Sequence, residues 1–320
     1  MAQLQSTSIS DSFNISGSFN LASGSINTGS VGNIWFNPAI NRLQYSYFGG
    51  VWSAGGALIT ARFRLAGAGT QNAALAFGGN GPTNVSCTEE YDGSSWSTGG
   101  ALGSARCALA GAGTQNAALA FGGGTPSNTA VTEEYDGSSW SVAGQLITAR
   151  QSLGGAGTQN AALAFGGAAP TNASCTEEYD GSSWSTGGAL ITARQSLGGA
   201  GTQNAGLAFG GNAPSVSKLT EEYNGTSWTA GGALITARNS VAGAGTQNAA
   251  LAFGGATPVN SLRTEEYDGS SWAAGGDLIT ARYSLAGAGT QNAALAFGGR
   301  APSLVSCTVE YDTGIQICTL

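Results

Sequence analysis

The sequence predicts an all-β fold, a β-propeller of six blades, on three observations. First, the segment GAGTQNAALAFGG or a near copy starts at Gly67, Gly111, Gly155, Gly199, Gly243 and Gly287, every 44 residues without insertion or deletion. A fixed period of this size marks a repeat architecture, because one unit cannot bury its own apolar face and must stack on its neighbours. Second, each copy contains four short β-type runs divided by turn residues. Third, side chains grow along the copy, from Gly, Ala and Leu in the first two runs to Tyr and Trp in the last two. A radial arrangement demands that gradient, since backbones crowd near the axis and the gaps between blades widen outward.

Taken in order, residues 1–33 are a Ser/Asn/Gly-rich segment with sparse apolar residues (Ile9, Phe13, Ile15, Phe19, Leu21, Ile26). The strip is too polar to form a core alone. Its alternation around Phe13 and Phe19 suits strands that pair with another chain, and a disordered leader is the other reading. Residues 34–50 read as a β-hairpin module, and 51–320 as the propeller. Within a repeat, strand a (QSLGGAGT) turns at Gln-Asn into strand b (AALAFGG). Eight variable residues lead to strand c (TEEY), and Asp-Gly-Ser-Ser turns into strand d, which begins at Trp.

Copy counts set the number of blades and the mode of closure. Phe-Gly-Gly occurs six times (Phe77 to Phe297), as does the Arg of Ala-Arg (Arg62, Arg106, Arg150, Arg194, Arg238, Arg282). The strand-d Trp also occurs six times (Trp52, Trp96, Trp140, Trp184, Trp228, Trp272), but shifted ahead of the inner strands. Gln316 stands where the next would fall. The expectation is a clasp, with the Trp52 segment supplying the outer strand of the sixth blade. The Tyr position occurs seven times, from Tyr47 to Tyr311, which leaves a seven-bladed ring as the alternative.

Composition narrows the function. The 320 residues contain no histidine, which removes the commonest general base and metal ligand and every Ser-His-Asp or Cys-His arrangement. No enzymatic activity, cofactor or metal is expected. With 11 basic against 18 acidic residues and a net charge of −7, there is no basic footprint for nucleic acid. The longest apolar runs are far too short for membrane insertion, and the N-terminus lacks the pattern of a secretory signal. Of the five cysteines, Cys87, Cys175 and Cys307 share one repeat position and cannot pair with each other. A Cys307–Cys318 disulfide stays open.

The order Trp52, Ala61-Arg62, an apolar strand ending in Gly78-Gly79, Tyr91-Asp92 and Trp96, repeated over roughly 51–312, resembles the kelch repeat, with a shorter Tyr-to-Trp spacing and strands richer in Ala and Gly. Kelch enzymes of the galactose-oxidase kind hold copper with histidines, so their site is not implied here. The segment GNIWFNPAINRLQYSYFGGVW resembles a hairpin module of bacteriophage structural proteins, especially of marine and cyanobacterial phages, in which TEEYDGSSW arrays also occur. That resemblance implies a structural protein of the virion, assembled in the host cytoplasm. It would be a tail-fibre or decoration component that docks on other virion proteins through its N-terminal segment and acts as an adhesin in host attachment, as an oligomer or not. The alternative is a cellular kelch-type adaptor for a protein partner.

Candidate site residues come from the differences between copies. Connections b–c and d–a should emerge on one face of the ring, and turns a–b and c–d on the other. The turns barely change, whereas the b–c loops vary freely around a fixed Pro (Pro82, Pro126, Pro170, Pro214, Pro258, Pro302). On the loop face the residue after Arg varies too: Phe63, Cys107, Gln151, Gln195, Asn239 and Tyr283. With Lys218, Arg263 and Arg300 these are the candidate ligand-binding residues, for a host surface glycan or protein. Phe63 and Tyr283 should sit side by side at the channel mouth once the ring closes. Each connector Arg is expected to tie to one Glu of the pairs such as Glu89-Glu90 across the gap to a neighbouring blade, the other Glu facing solvent. These Arg residues, with Trp52 and Trp96, are assigned as structural.

Overall fold

The computed structural model describes residues 34–37 and 42–319, with side chains described within 49–314. The docking segment, 1–33, therefore lies outside the described residues, and the Cys318 side chain outside the described side chains. The chain divides into two units, Met1–Gly49 with Gly314–Leu320, and Gly50–Thr313. In the smaller unit Ile34–Asn37 pairs antiparallel with the start of Arg42–Gly55, in the register Ile34↔Tyr45 and Asn37↔Arg42.

The larger unit is a six-bladed β-propeller, with no helix among the described residues. Blade 1 comprises strands a (Ala66–Thr70), b (Ala73–Phe77), c (Thr88–Tyr91) and d (Trp96–Gly99), paired antiparallel in chain order. The registers Ala66↔Phe77, Phe77↔Thr88 and Tyr91↔Trp96 recur in equivalent form through blade 5. Strand a of each blade packs on strand a of the next, and that of the sixth packs on that of the first. These strands line a central channel. Glycine is required there: a Cβ at Gly111 would stand 2.6 Å from the Phe77 ring and 2.8 Å from the Gly67 carbonyl oxygen.

Each blade grips the one before it through three side chains. Trp184 of blade 3 stacks against Phe121 of blade 2 at 5.0 Å, and its Nε1–H donates to Thr132 Oγ1 at 3.0 Å. Tyr179 donates its hydroxyl to Glu134 at 2.7 Å, and Gln159 Nε2 donates to the Tyr135 carbonyl at 2.7 Å. The six wedges between blades are separate apolar clusters, each built from Ala, Leu and Phe of the inner strands and capped by Tyr and, in five of them, a buried Trp. In the wedge between blades 1 and 2 the Trp, Trp140, is only partly buried and packs against the cluster from its edge.

The sixth blade closes as the copy count requires. Strands Ala286–Gly289, Ala293–Phe297 and the first part of Thr308–Thr319 are completed by the end of Arg42–Gly55. Trp52 lies 4.9 Å from Tyr311 and 5.0 Å from Phe253 of blade 5, and donates to Thr264 Oγ1 at 2.9 Å. On the other side Trp96, Tyr91 and Gln71 of blade 1 hold blade 6 through Thr308, Glu310 and the Tyr311 carbonyl. Six is thus the blade number. Tyr47 lies on the completing strand.

The Glu pairs depart from expectation at both positions. The Arg tie runs within a blade and not between blades, because Arg62 reaches both the Ala76 carbonyl and Glu89 of its own blade, and the second Glu has a partner of its own. The first Glu is buried on the connector Arg: Arg62 pairs with Glu89, Arg106 with Glu133 at 2.8 Å, and Arg238 with Glu265 at 2.9 Å. The same carboxylates accept the connector N–H groups of residues such as Ile59 and Thr60. Each Arg also spans two blades, since Gly79 N–H of blade 1 donates to the Arg106 carbonyl while the Arg106 side chain serves blade 2. The second Glu does not simply face water. Glu90 accepts the Tyr135 hydroxyl of the next blade at 2.5 Å. Burial and this bond push Tyr135 up to about 12.

Candidate functional site

Two faces result from the strand order. Turns a–b and c–d share one: a Cβ on Gly93 would meet Asn72 at 3.5 Å. The b–c and d–a connections share the other, through bridges such as Phe63↔Asn80 and Tyr283↔Arg300. The turn face carries Asp92, Asp136, Asp180 and Asp268, each held down to about 2 by hydrogen bonds from the Ser residues that follow. The loop face carries Arg64, Lys218, Arg263 and Arg300, and its one acid among the described residues is Asp277, which pairs with Arg263 at 3.4 Å. The disc is electrically polar, cationic on its variable side.

The b–c loops are more ordered than free loops. In blades 2 to 5 they form two-residue ladders around the conserved-position Pro, such as Gly124–Thr125 with Ser127–Asn128. Part of their variability is structural. Asn84, Asn128 and Asn172 donate to backbone carbonyls of the next blade at 2.9, 2.8 and 3.0 Å.

The candidate residues do not form one cluster. Phe63, Gln151, Gln195, Asn239 and Tyr283 are half-buried on the loop face, each bridged to a b–c residue. Cys107 is buried, a correction to its assignment as a ligand contact. Its small side chain lies under the surface beside Arg64, and burial raises its thiol against the lowering pull of that guanidinium. Phe63 and Tyr283 make no ring contact with each other. Instead the Arg64 and Arg300 guanidinium carbons each stand 5.5 Å from the Phe63 centroid, an arrangement in which cations meet the negative face of the ring. Lys218 and Arg263 lie at the outer ends of their loops, just before strand c, and both are exposed. None of Cys87, Cys107, Cys175 and Cys307 is in a disulfide.

The channel mouth is lined one residue beyond the expected position. Arg64, Ala108, Ser152, Ser196, Ser240 and Ser284 surround a cavity of about 140 Å³, over a floor of Leu65 and its equivalents. These six residues have φ between 51 and 55°, the left-handed region. Each donates its N–H to the carbonyl of the preceding repeat's residue, from Ala108 to Arg64 at 2.8 Å and finally from Arg64 to Ser284 at 2.8 Å. The result is a closed circle of six hydrogen bonds. Nothing in the residue types announces it, because Ser, Ala and Arg do not favour this backbone.

A second feature is absent from the sequence reading. Ile59, Ile147, Ile191, Ile235 and Ile279, on the d–a connectors, are 57–63% exposed. The backbone N–H groups of Ile59, Ile147, Ile191 and Ile235 are bonded to Glu89 and its equivalents, with the side chains left outside. Comparison with family models and with curated proteins finds no match to this chain.

Proposed function

We propose that this chain is a non-enzymatic, kelch-type structural protein of a bacteriophage virion, which holds a propeller with its loop face outward for attachment to the host surface. The observation that carries the binding role is the contrast between faces. The turn face repeats one acidic motif, while the loop face varies at fixed loop length, keeps its cations largely unpaired and exposes five isoleucines. Singly scattered apolar residues need no explanation, but a repeated ring of them on one face is the property of an interaction surface. The virion assignment rests on the resemblance of residues 32–52 and of the TEEYDGSSW array to phage structural proteins. Other virion proteins would be bound through residues 1–33.

The test is attachment of the purified protein to intact cells of the bacterium that carries the virus. Phe63→Ala with Tyr283→Ala is expected to abolish attachment and leave the circular dichroism spectrum intact. Retained attachment, together with indifference to grafting one b–c loop onto all six blades, overturns the face assignment. Genes for tail or capsid proteins beside this one are expected, and a cellular operon would favour the adaptor reading instead.

A further inference from the structure

The ring at the channel mouth keeps side chains where they are costly. Among the described residues 23 glycines have positive φ, and the six ring residues are the only others that do. A non-glycine residue in this region is strained, because its Cβ crowds the following carbonyl oxygen. A chain that uses glycine at every other such position has an inexpensive alternative here and does not take it. Backbone strain retained in this way points to a use for the side chains. Those side chains are four hydroxyls, one guanidinium and the methyl of Ala108, and among the described residues no hydrogen bond engages the Ser152, Ser196, Ser240 or Ser284 hydroxyls. The backbone N–H groups cannot serve a ligand, since all six are consumed in the circle.

One sector of this ring is distinct. Arg64 belongs to it, and Arg300 of the adjoining sixth repeat reaches the same Phe63 ring. Neither guanidinium has a carboxylate partner, and the sole acid on this face is engaged by Arg263. Two guanidinium forks over an aromatic ring are matched to a planar or tetrahedral oxyanion carried on an apolar body. The cavity is too small to enclose a drug-sized ligand, whose pockets run to about 300–1,000 Å³. It admits one protruding group of something larger.

We infer that Arg64, Arg300 and Phe63, with the ring serines, form a subsite for the acidic group of a polyanionic saccharide, a carboxylate or a sulfate. The inference rests on the loop face being the attachment face and specifies what it meets. The acidic group enters the mouth between Arg64 and the hydroxyls, while the sugar ring lies against Phe63 and Tyr283. Because both cations are exposed, binding weakens with ionic strength.

The full chain is tested against immobilised alginate, dextran sulfate and neutral dextran by biolayer interferometry. Binding to at least one acidic polymer and not to dextran is expected, and alginate against dextran sulfate distinguishes carboxylate from sulfate. Arg64→Gln with Arg300→Gln should weaken it roughly tenfold or more, as loss of two charge-assisted contacts implies. Both side chains are exposed, so the melting temperature should not move. Binding unchanged in this variant, or no binding to either acidic polymer, overturns the inference. So does single-stranded DNA binding as tightly and with the same loss, which would mean the site senses charge density alone. Cell attachment separates the two levels. Attachment lost with Phe63→Ala/Tyr283→Ala but kept with the Arg variants removes the acidic ligand and leaves the face assignment standing. Attachment indifferent to all four substitutions removes both.

Discussion

Blade 6 and the other five blades have the same strand order and the same ties to their neighbours, yet they are held together differently inside. In blades 1 to 5 a buried Glu on strand c neutralises the connector Arg, and it caps two connector N–H groups in every one of them but blade 2, where it caps one. In blade 6 that position is Val309. Arg282 is still buried, and it keeps only the kind of bonds that other connector Arg residues make beside their ion pair, to the carbonyls of Ala296, Gly298 and Cys307 and to the Cys307 thiol at 2.6 Å. Burial pulls its guanidinium below the ordinary value, and no carboxylate opposes this. Blade 6 also lacks a c–d turn, because its outer strand comes from the beginning of the chain. A propeller therefore tolerates loss of an internal ion pair and of a covalent turn in one blade, provided the wedge contacts between blades are complete. Specificity of the ring lies between blades.

The largest effect should come from breaking the clasp. Trp→Ala in a packed wedge costs about 3–5 kcal/mol. Trp184→Ala and Trp52→Ala remove equivalent contacts, but only the Trp52 strand is unconnected to its blade partner by a turn. Both variants should lose similar stability in denaturant titrations. Trp52→Ala should in addition show early proteolysis near residues 50–55, below the main transition. Identical proteolysis of the two variants would mean the closure is no weaker than an interior junction.

Next in size is the internal ion pair. Arg150→Ala leaves Glu177 buried without its cation and should cost on the order of 3 kcal/mol. Arg282→Ala orphans no carboxylate and should cost clearly less. Equal losses in thermal melts would show that the carbonyl set in blade 6 is worth as much as a Glu. An unchanged melt for Arg150→Ala would contradict its burial.

Restoring the missing partner is the converse experiment. Val309→Glu places a carboxylate where five other blades hold one, within reach of Arg282 and of the Ile279 and Thr280 N–H groups. A gain of about 1–2 kcal/mol is expected, smaller than the loss from breaking a native pair because Val309 is itself well buried. A cycle with Arg282→Met should assign most of the gain to coupling between the two residues. A loss in the single variant would mean that blade 6 has repacked around Val309.

What repetition makes legible is what it states six times. The strands, the blade number and the closure at Trp52 follow from counting copies; that a buried Arg needs a Glu was legible too, but not that the pair lies within one blade. Features that arise only between repeats were hidden. Tyr135 and Glu90 lie in equivalent strands of different blades, so no offset within one copy joins them. The ring at Arg64 and the serines depends on backbone handedness set by closure. Cys107 looked accessible because its position varies, but a small side chain beside Arg64 sinks below the surface. The exposed isoleucines went unread because hydrophobicity does not report which atoms of a residue the fold uses. Residues 1–33, the expected docking segment, lie outside the described residues.

The smallest effect concerns the turns, and blade 4 supplies its own control. Asp92, Asp136, Asp180 and Asp268 accept N–H bonds from the two residues just before strand d, as Asn224 does in blade 4 at 3.0 and 2.9 Å. For Asp136 the largest cause of its low value, about 2, is the Ser138 hydroxyl, followed by the Ser139 and Ser138 N–H groups. A carboxyl held lower in the folded than in the unfolded chain stabilises the fold above the unfolded value near 4. That contribution disappears as pH falls toward 2. Asn makes the same turn without titrating. Asp136→Asn alone should shift the melting temperature at pH 7 by less than about 2 °C, as expected of an exposed substitution. Replacing all four Asp residues by Asn should flatten the decline in melting temperature between pH 4 and pH 2. If the decline persists unchanged in that variant, the four turn carboxylates are not the source of the acid sensitivity.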